Sequence, residues 1–161
     1  MPNNELLKDW LNDAYSMEKS LIPVLENHAE DAKEYPDIRQ RDLQHAEETR
    51  RHVELVEGCL ERLGEKPSAV KSMWGSVMGR MQAVATGPFK DELMKNFISD
   101  YASEQLEIAS YKALIAAARA SGHEDIAETC EEILADEERM AEWLDQNLSR
   151  AAEQTMAQHA T

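Results

Sequence analysis

The sequence predicts an all-α protein: an antiparallel four-helix bundle with a long crossover that carries a short fifth helix. Three observations predict it. Four long stretches place apolar side chains at heptad-like spacings of three and four residues. Only six glycines and five prolines occur in 161 residues, and most sit between those stretches. One connection, 65–88, is too long for a hairpin turn between neighbouring helices.

The first helix is expected over 4–33, with Leu7, Leu11, Ala14, Glu18, Leu21, Leu25, His28 and Ala32 in the inward phase. Pro23 lies inside it and removes one backbone hydrogen bond, so a kink or bulge is expected there. Tyr35-Pro36-Asp37 makes the turn into a second helix over 37–63, which stops at Gly64, a suitable residue just past a helix end. Its inward phase is Ile38, His45, Glu48 or Thr49, His52, Val56, Cys59 and Leu63. Within 65–88, Val70, Met73 or Trp74, Val77, Met81 and Val84 keep helical spacing, and Ser68 is an N-cap type, so a short crossover helix is expected over 68–85.

The third long helix is expected over 89–121 and the fourth over 124–151, with a fraying tail from about Ala152. Their inward phases are Leu93, Phe97, Asp100, Glu104, Glu107, Tyr111, Leu114 and Ala118, and Ile126, Cys130, Ile133, Glu137, Met140 and Leu144. Two helical hairpins joined by one long crossover form the ferritin-like variant of the bundle, expected here as one domain over 1–161.

The net charge of -15 comes from 32 acidic against 17 basic residues. That balance repels a phosphate backbone and an anionic bilayer surface, so neither nucleic acid nor membrane is an expected partner. The N-terminus lacks a basic segment followed by an apolar run, and no apolar stretch approaches the ~20 residues that span a bilayer, so the cytoplasm is expected. Cys59 and Cys130 fall on apolar phases and read as small buried hydrophobes in a reducing compartment, with a redox pair as the lesser alternative.

The chemistry-bearing signal is a set of polar residues where leucine would be expected. In HAEETRRH, 45–52, the side chains of His45, Glu48 and His52 fall within roughly 60° of one another on a helix, while Glu47 can pair with Arg51 and Arg50 with Glu54 outside. Glu18, Glu48, Glu104 with Glu107, and Glu137 lie near the middles of the four helices, and in an antiparallel bundle the middles share one level. Carboxylates crowded into a low-dielectric core repel one another, so they must be protonated or neutralised by cations. Carboxylates with one or two imidazoles suit iron or manganese, with zinc open. The known dinuclear bundle pattern is one Glu from each of two helices and Glu-x-x-His from the other two. This chain keeps the single glutamates but has Glu104-x-x-Glu107 and Glu137-x-x-Met140, with its imidazoles in the order His45-x-x-Glu48-x-x-x-His52.

Each residue also has a blander reading. A lone Glu18 on an apolar phase is usually half-exposed. Asp136 and Glu138 flank Glu137, so a small phase error changes which carboxylate points inward. His45 and His52 taken singly read as core or rim histidines. Asp100 reads as a supporting or exposed group, and Tyr111 as packing, with bonding to a ligand carboxylate as the lesser role. His28 lies about 15 Å along the helix from Glu18, too far for the same site. The coincidence on four helices is what favours a metal.

The sequence resembles the YciE/YciF family of bacterial ferritin-like proteins over about residues 6–148. The matching stretches are DAYSMEKSL around Glu18, HAEETRRHVELVEGCLERLGEKP from His45 onward, SEQLEIASYKAL around Glu104 and Glu107, and DEERMAEWL around Glu137. The resemblance implies a ferritin-like bundle that is often a homodimer, a dinuclear site and a stress-associated role. Carried over, it implies Glu18, His45, Glu48, Glu104, Glu107 and Glu137 as ligand positions, with His52 as a ligand or a supporting group. Two departures stand out: His52 is where the family more often has Gln, and Gln105 is where it often has His.

Three functions are therefore weighed. The first is a centre of two metal ions, iron foremost, that acts on a small oxidant such as peroxide or oxygen as an oxidoreductase or peroxidase; Tyr101, Tyr111 and Trp143 are its candidate electron donors. The second is an iron-binding ferroxidase, which as a store would need a many-subunit shell. The third is a structural or interaction protein with a static metal or none.

Overall fold

The computed structural model describes residues 4–68 and 90–160. Four helices account for most of them: α1 (Asn4–Asp31), α2 (Pro36–Arg62), α3 (Glu92–Ala120) and α4 (Glu124–Gln158). The crossover helix expected over 68–85 lies, beyond Ser68, outside the described residues. The fold is the ferritin-like four-helix bundle, and no described helix is long and apolar enough to cross a membrane.

Contacts between side chains fix the helix directions. On α1 and α3, Glu18 meets Tyr111, His28 meets Asp100 and Asp31 meets Asn96, so one chain rises as the other falls. On α2 and α4, His52 meets Glu137 while Arg62 meets Asp125, again antiparallel. Short turns at 32–35 and 121–123 join the members of each hairpin, and glycines end α2, before the crossover, and α3. After α2, Gly64 adopts φ 72°, and after α3, Gly122 adopts φ 80°, values a side chain would resist. At both ends the last carbonyls are satisfied by a paired reversal, Glu65 N–H to Leu60 C=O with Gly64 N–H to Glu61 C=O, and His123 N–H to Ala118 C=O with Gly122 N–H to Arg119 C=O.

The helix stripes expected from periodicity are the buried faces, with Thr49 taking the inward place on α2 and Glu48 standing beside it. α1 continues through Pro23. α4 does not fray at residue 152 but continues to Gln158, because Ala151 and Thr155 extend the buried stripe of Leu144. Arg150 also pairs with Asp37 at 2.5 Å, tying this end of α4 to the start of α2.

Burial is arranged in layers. One apolar cluster contains Leu7, Leu11, Leu21, Val56, Leu60, Leu114, Ile126 and Ile133. A second contains Ala32, Ile38, Leu93, Phe97, Met140 and Leu144. Between them along the helices lie buried polar residues from all four helices, including Glu18, His45, His52, Glu104, Glu107 and Glu137.

Candidate metal centre

In this central layer two groups of potential ligands converge. His45, Glu104, Glu107 and Glu137 each offer an atom, all within 4.8 Å of one another, and Glu18, His52 and Glu137 do the same. Glu137 belongs to both groups. The helix pitch explains the arrangement: Glu104 and Glu107 are three residues apart on one face of α3, and His45 and His52 are two turns apart on α2. Glu18 of α1 and Glu137 of α4 complete the layer.

Six of the seven residues singled out from sequence thus meet in the core. Glu48 does not join either group. It is half-buried at the rim, where it takes Arg41 Nη1 at 3.3 Å and Gln44 Nε2 at 3.0 Å and lies 2.9 Å from His45 Nδ1. The reason is phase: Thr49, not Glu48, occupies the fully inward position, and its hydroxyl donates to the His45 carbonyl at 2.8 Å. Gln105 is exposed, so that departure from the family pattern points away from the centre.

Each histidine is held from behind by a carboxylate backed by an arginine. His45 Nδ1 is 2.9 Å from Glu48, with Arg41 on Glu48, which leaves Nε2 facing Glu104 at 2.9 Å and Glu137 at 3.5 Å. His52 Nε2 is 2.9 Å from Asp136, with Arg51 Nη1 on Asp136 at 3.2 Å, which leaves Nδ1 facing Glu137 at 2.9 Å and Glu18 at 3.4 Å. A carboxylate on one ring nitrogen sets the tautomer and aims the other nitrogen. Sequence reasoning missed Asp136 in this role; its position next to Glu137 was the signal, since neighbouring residues on a helix can reach two sides of one imidazole. Tyr111 donates its hydroxyl to Glu18, a role foreseen only as secondary to packing.

The outward pairs also differ from expectation. Arg50 pairs with Glu47 and Glu26 rather than Glu54, and Arg51 reaches across to Glu132 and Asp136 rather than back to Glu47. Arg51 finds both its carboxylates across the groove on α4, while Arg50 keeps a same-helix partner in Glu47 and adds Glu26 of α1. One turn from Glu104, His28 Nδ1 lies 2.8 Å from Asp100, so both of these buried groups support the bundle's polar layer from a neighbouring level.

Several polar atoms in the centre have no hydrogen-bond partner: Glu18 Oε2, Glu104 Oε2, His52 Nδ1, and both carboxyl oxygens of Glu107 and Glu137. The short His52–Glu137 approach is therefore a contact of charges without hydrogen-bond alignment. Orphaned buried acceptors cost ~1–3 kcal/mol each, so such a concentration calls for a compensating group. Four carboxylates and two imidazoles suit two divalent cations in number, charge and donor type.

Proton affinities carry the same strain. Burial, then Glu137, Glu104 and Glu18, pushes the Glu107 carboxyl well above its usual 4.5. Burial raises Glu104 to about 8, partly opposed by His45 and reinforced by Glu137. Glu18 rises through burial and the Glu137 charge, against the pull of His52 and Tyr111. Burial would also raise Glu137, but His52 and His45 hold it below the ordinary value. Burial disfavours both imidazolium ions, yet Glu104, Glu48 and Glu137 lift His45 well above 6.5, and Glu137 and Glu18 lift His52 to about 11. Protons thereby offset part of the carboxylate repulsion, in the place that cations would take.

The chain matches, over residues 3–157, the family described as Domain of unknown function (DUF892). It belongs to that family. A protein of Xanthomonas campestris is 36% identical with a TM-score of 0.83, covering 98% of this chain and 97% of its own. The Escherichia coli stress protein YciF is 23% identical with a TM-score of 0.79, covering 93% and 96%. A dodecameric thioferritin of Bacteroides fragilis, described as bacterioferritin-related, is 20% identical with a TM-score of 0.77, covering 95% and 90%. The likeness to YciF accords with the resemblance read from sequence, and the last two comparisons speak to fold. The buried carboxylate–histidine clusters themselves point to metal binding.

Proposed function

We propose that the central layer holds two metal ions, iron foremost with manganese and zinc as alternatives, and that the protein serves stress-associated redox or peroxide protection. The observation that carries the reading is Glu137, shared by two ligand groups whose inward oxygens have no hydrogen-bond partner. His45, Glu104 and Glu107 would hold one ion, Glu18 and His52 the other, with Glu137 between them. Bound iron would supply electrons for the reduction of peroxide or oxygen. The chain's own part is to position and insulate. Glu48 with Arg41, and Asp136 with Arg51, orient the imidazoles; Tyr111 holds Glu18; the apolar layers above and below exclude water.

Peroxide consumption by ferrous-loaded protein tests the redox reading. Catalytic turnover that is lost in Glu137→Gln supports it; stoichiometric metal with no turnover would leave a static metal. The reading includes a homodimer. Self-association is supported by the dodecamer named for the Bacteroides relative, and light scattering on a sizing column distinguishes a dimer from a storage shell.

A further inference from the structure

One pair of reactive groups lies outside the centre. Cys59 and Cys130 are both free thiols, both fully buried, and both in the apolar cluster on one side of the polar layer. Their position follows from the antiparallel register of α2 and α4. Cys59 is one heptad beyond His52 and Cys130 one heptad before Glu137, so the contact that pairs His52 with Glu137 recurs two turns away, about 10 Å along the helices, with sulfur on both sides.

A clasp at this level holds the two helices together. Arg62 Nη2 donates to Cys59 Sγ at 3.1 Å and to Thr129 Oγ1 at 3.0 Å, the residue beside Cys130, while Nη1 reaches Asp125 Oδ2 at 2.8 Å. The guanidinium side chain is 41% exposed, so Cys59 lies one side chain below the surface. The electrostatics distinguish the two sulfurs. The Cys130 thiol, and against burial the Arg62 charge and Thr129, pull Cys59 down to about 7, while Cys59 and burial push Cys130 up. The guanidinium on Cys59 favours its thiolate while Cys130 keeps its proton more firmly, the division of labour seen in attacking and resolving cysteines.

We propose that Cys59 and Cys130 form a peroxide-reactive pair that closes to a disulfide between α2 and α4. The Cys59 thiolate attacks one oxygen of hydrogen peroxide, the O–O bond breaks, and the departing hydroxide takes a proton to leave as water, giving Cys59 sulfenic acid. Cys130 sulfur then attacks the Cys59 sulfur; its thiol proton leaves with the hydroxyl as a second water. Two thiols are oxidised to one disulfide, one peroxide is reduced to two waters, and no other reactant is needed. The reaction asks nothing of the metal centre.

The test uses reduced full-length protein with a chelator present throughout, so its outcome is independent of metal. After hydrogen peroxide is added, intact mass and the thiol count of the denatured protein are followed in time. The expected result is a mass loss of two hydrogens, disappearance of both thiols together, and recovery of both with dithiothreitol. Cys59→Ser should leave Cys130 slow to react. Arg62→Met should slow closure several-fold at neutral pH as the thiolate fraction falls toward that of an ordinary thiol near pKa ~8.5. Thiols that persist, or that gain oxygen separately without losing hydrogen, would overturn the proposal. So would unchanged kinetics in Cys59→Ser.

Discussion

Replacing Glu107 by Gln should strengthen the protein without metal and weaken its response to metal. Glu107 is fully buried, neither carboxyl oxygen has a partner, and its nearest charges are the carboxylates of Glu137, Glu104 and Glu18. The amide keeps the volume, cannot ionise, and brings two N–H donors to a layer rich in orphaned acceptors. One new hydrogen bond to a charged acceptor adds ~1.5–3 kcal/mol. At ~2–4 °C per kcal/mol for a chain of this size, Tm in chelator should rise by about 3–12 °C. Wild-type protein should gain from metal instead: a free ion at a hundred times its Kd stabilises by about 2.7 kcal/mol per site. Thermal melts in chelator and in ferrous or manganous ion, for both proteins, give four values. The expected pattern is a variant that melts higher without metal and gains less with it. A variant that melts lower in chelator and keeps the full metal-induced rise would refute the argument that Glu107 sits in the core for the sake of a cation.

Other substitutions separate the roles of the layer. Glu137→Gln should reduce binding at both positions at once, read as metal per chain after dialysis, because both ligand groups use that side chain. Asp136→Ala should leave the stoichiometry at saturating metal intact but weaken affinity by ~10–100-fold, since it removes the carboxylate behind His52 and not a group facing the centre; isothermal titration distinguishes the two effects. Glu48→Gln should weaken metal affinity less than Glu107→Gln, by the same titration, because its amide oxygen can still accept from His45 Nδ1. The pH dependence has a definite sign. Glu104 is raised from 4.5 to about 8 and His52 from 6.5 to about 11, so each binds more protons folded than unfolded. Their contributions are complete below the unfolded values and are lost as pH rises through the folded ones, so chelator-treated protein should be less stable to urea at pH 9 than at pH 5, and bound metal should flatten that slope.

Much of the bundle could be read from residue spacing, because each long helix buries one continuous stripe. The polar members of the stripes, Glu18, His45, His52, Glu104, Glu107 and Glu137, were legible by the same token: they occupy positions of leucine. Glu48 shows the limit of that reasoning. It lies one residue from Thr49, a rotation of about 100°, and a stripe cannot decide between two neighbours that both border it. The same ambiguity hid Asp136, whose value comes from His52 on another helix and not from any spacing on α4. The continuation of α4 beyond residue 152 was missed because Ala151 and Thr155 are small and weakly apolar; Ala151 is buried in a cluster with Ile38 of α2 and Leu93 and Phe97 of α3, which no local pattern records. Cys59 and Cys130 looked like ordinary core residues until the register of α2 against α4 set them on the same level beside Arg62.

The most direct test of the central claim is metal stoichiometry. Untagged protein from iron-supplemented cells, and the same protein reconstituted with ferrous ion or manganese after chelation, should carry two metal ions per chain by elemental analysis, with Glu137→Gln falling well below that value. Wild-type protein that holds no metal from cells and takes up none on reconstitution would contradict the account, and would leave the buried glutamates as a layer neutralised by protons alone.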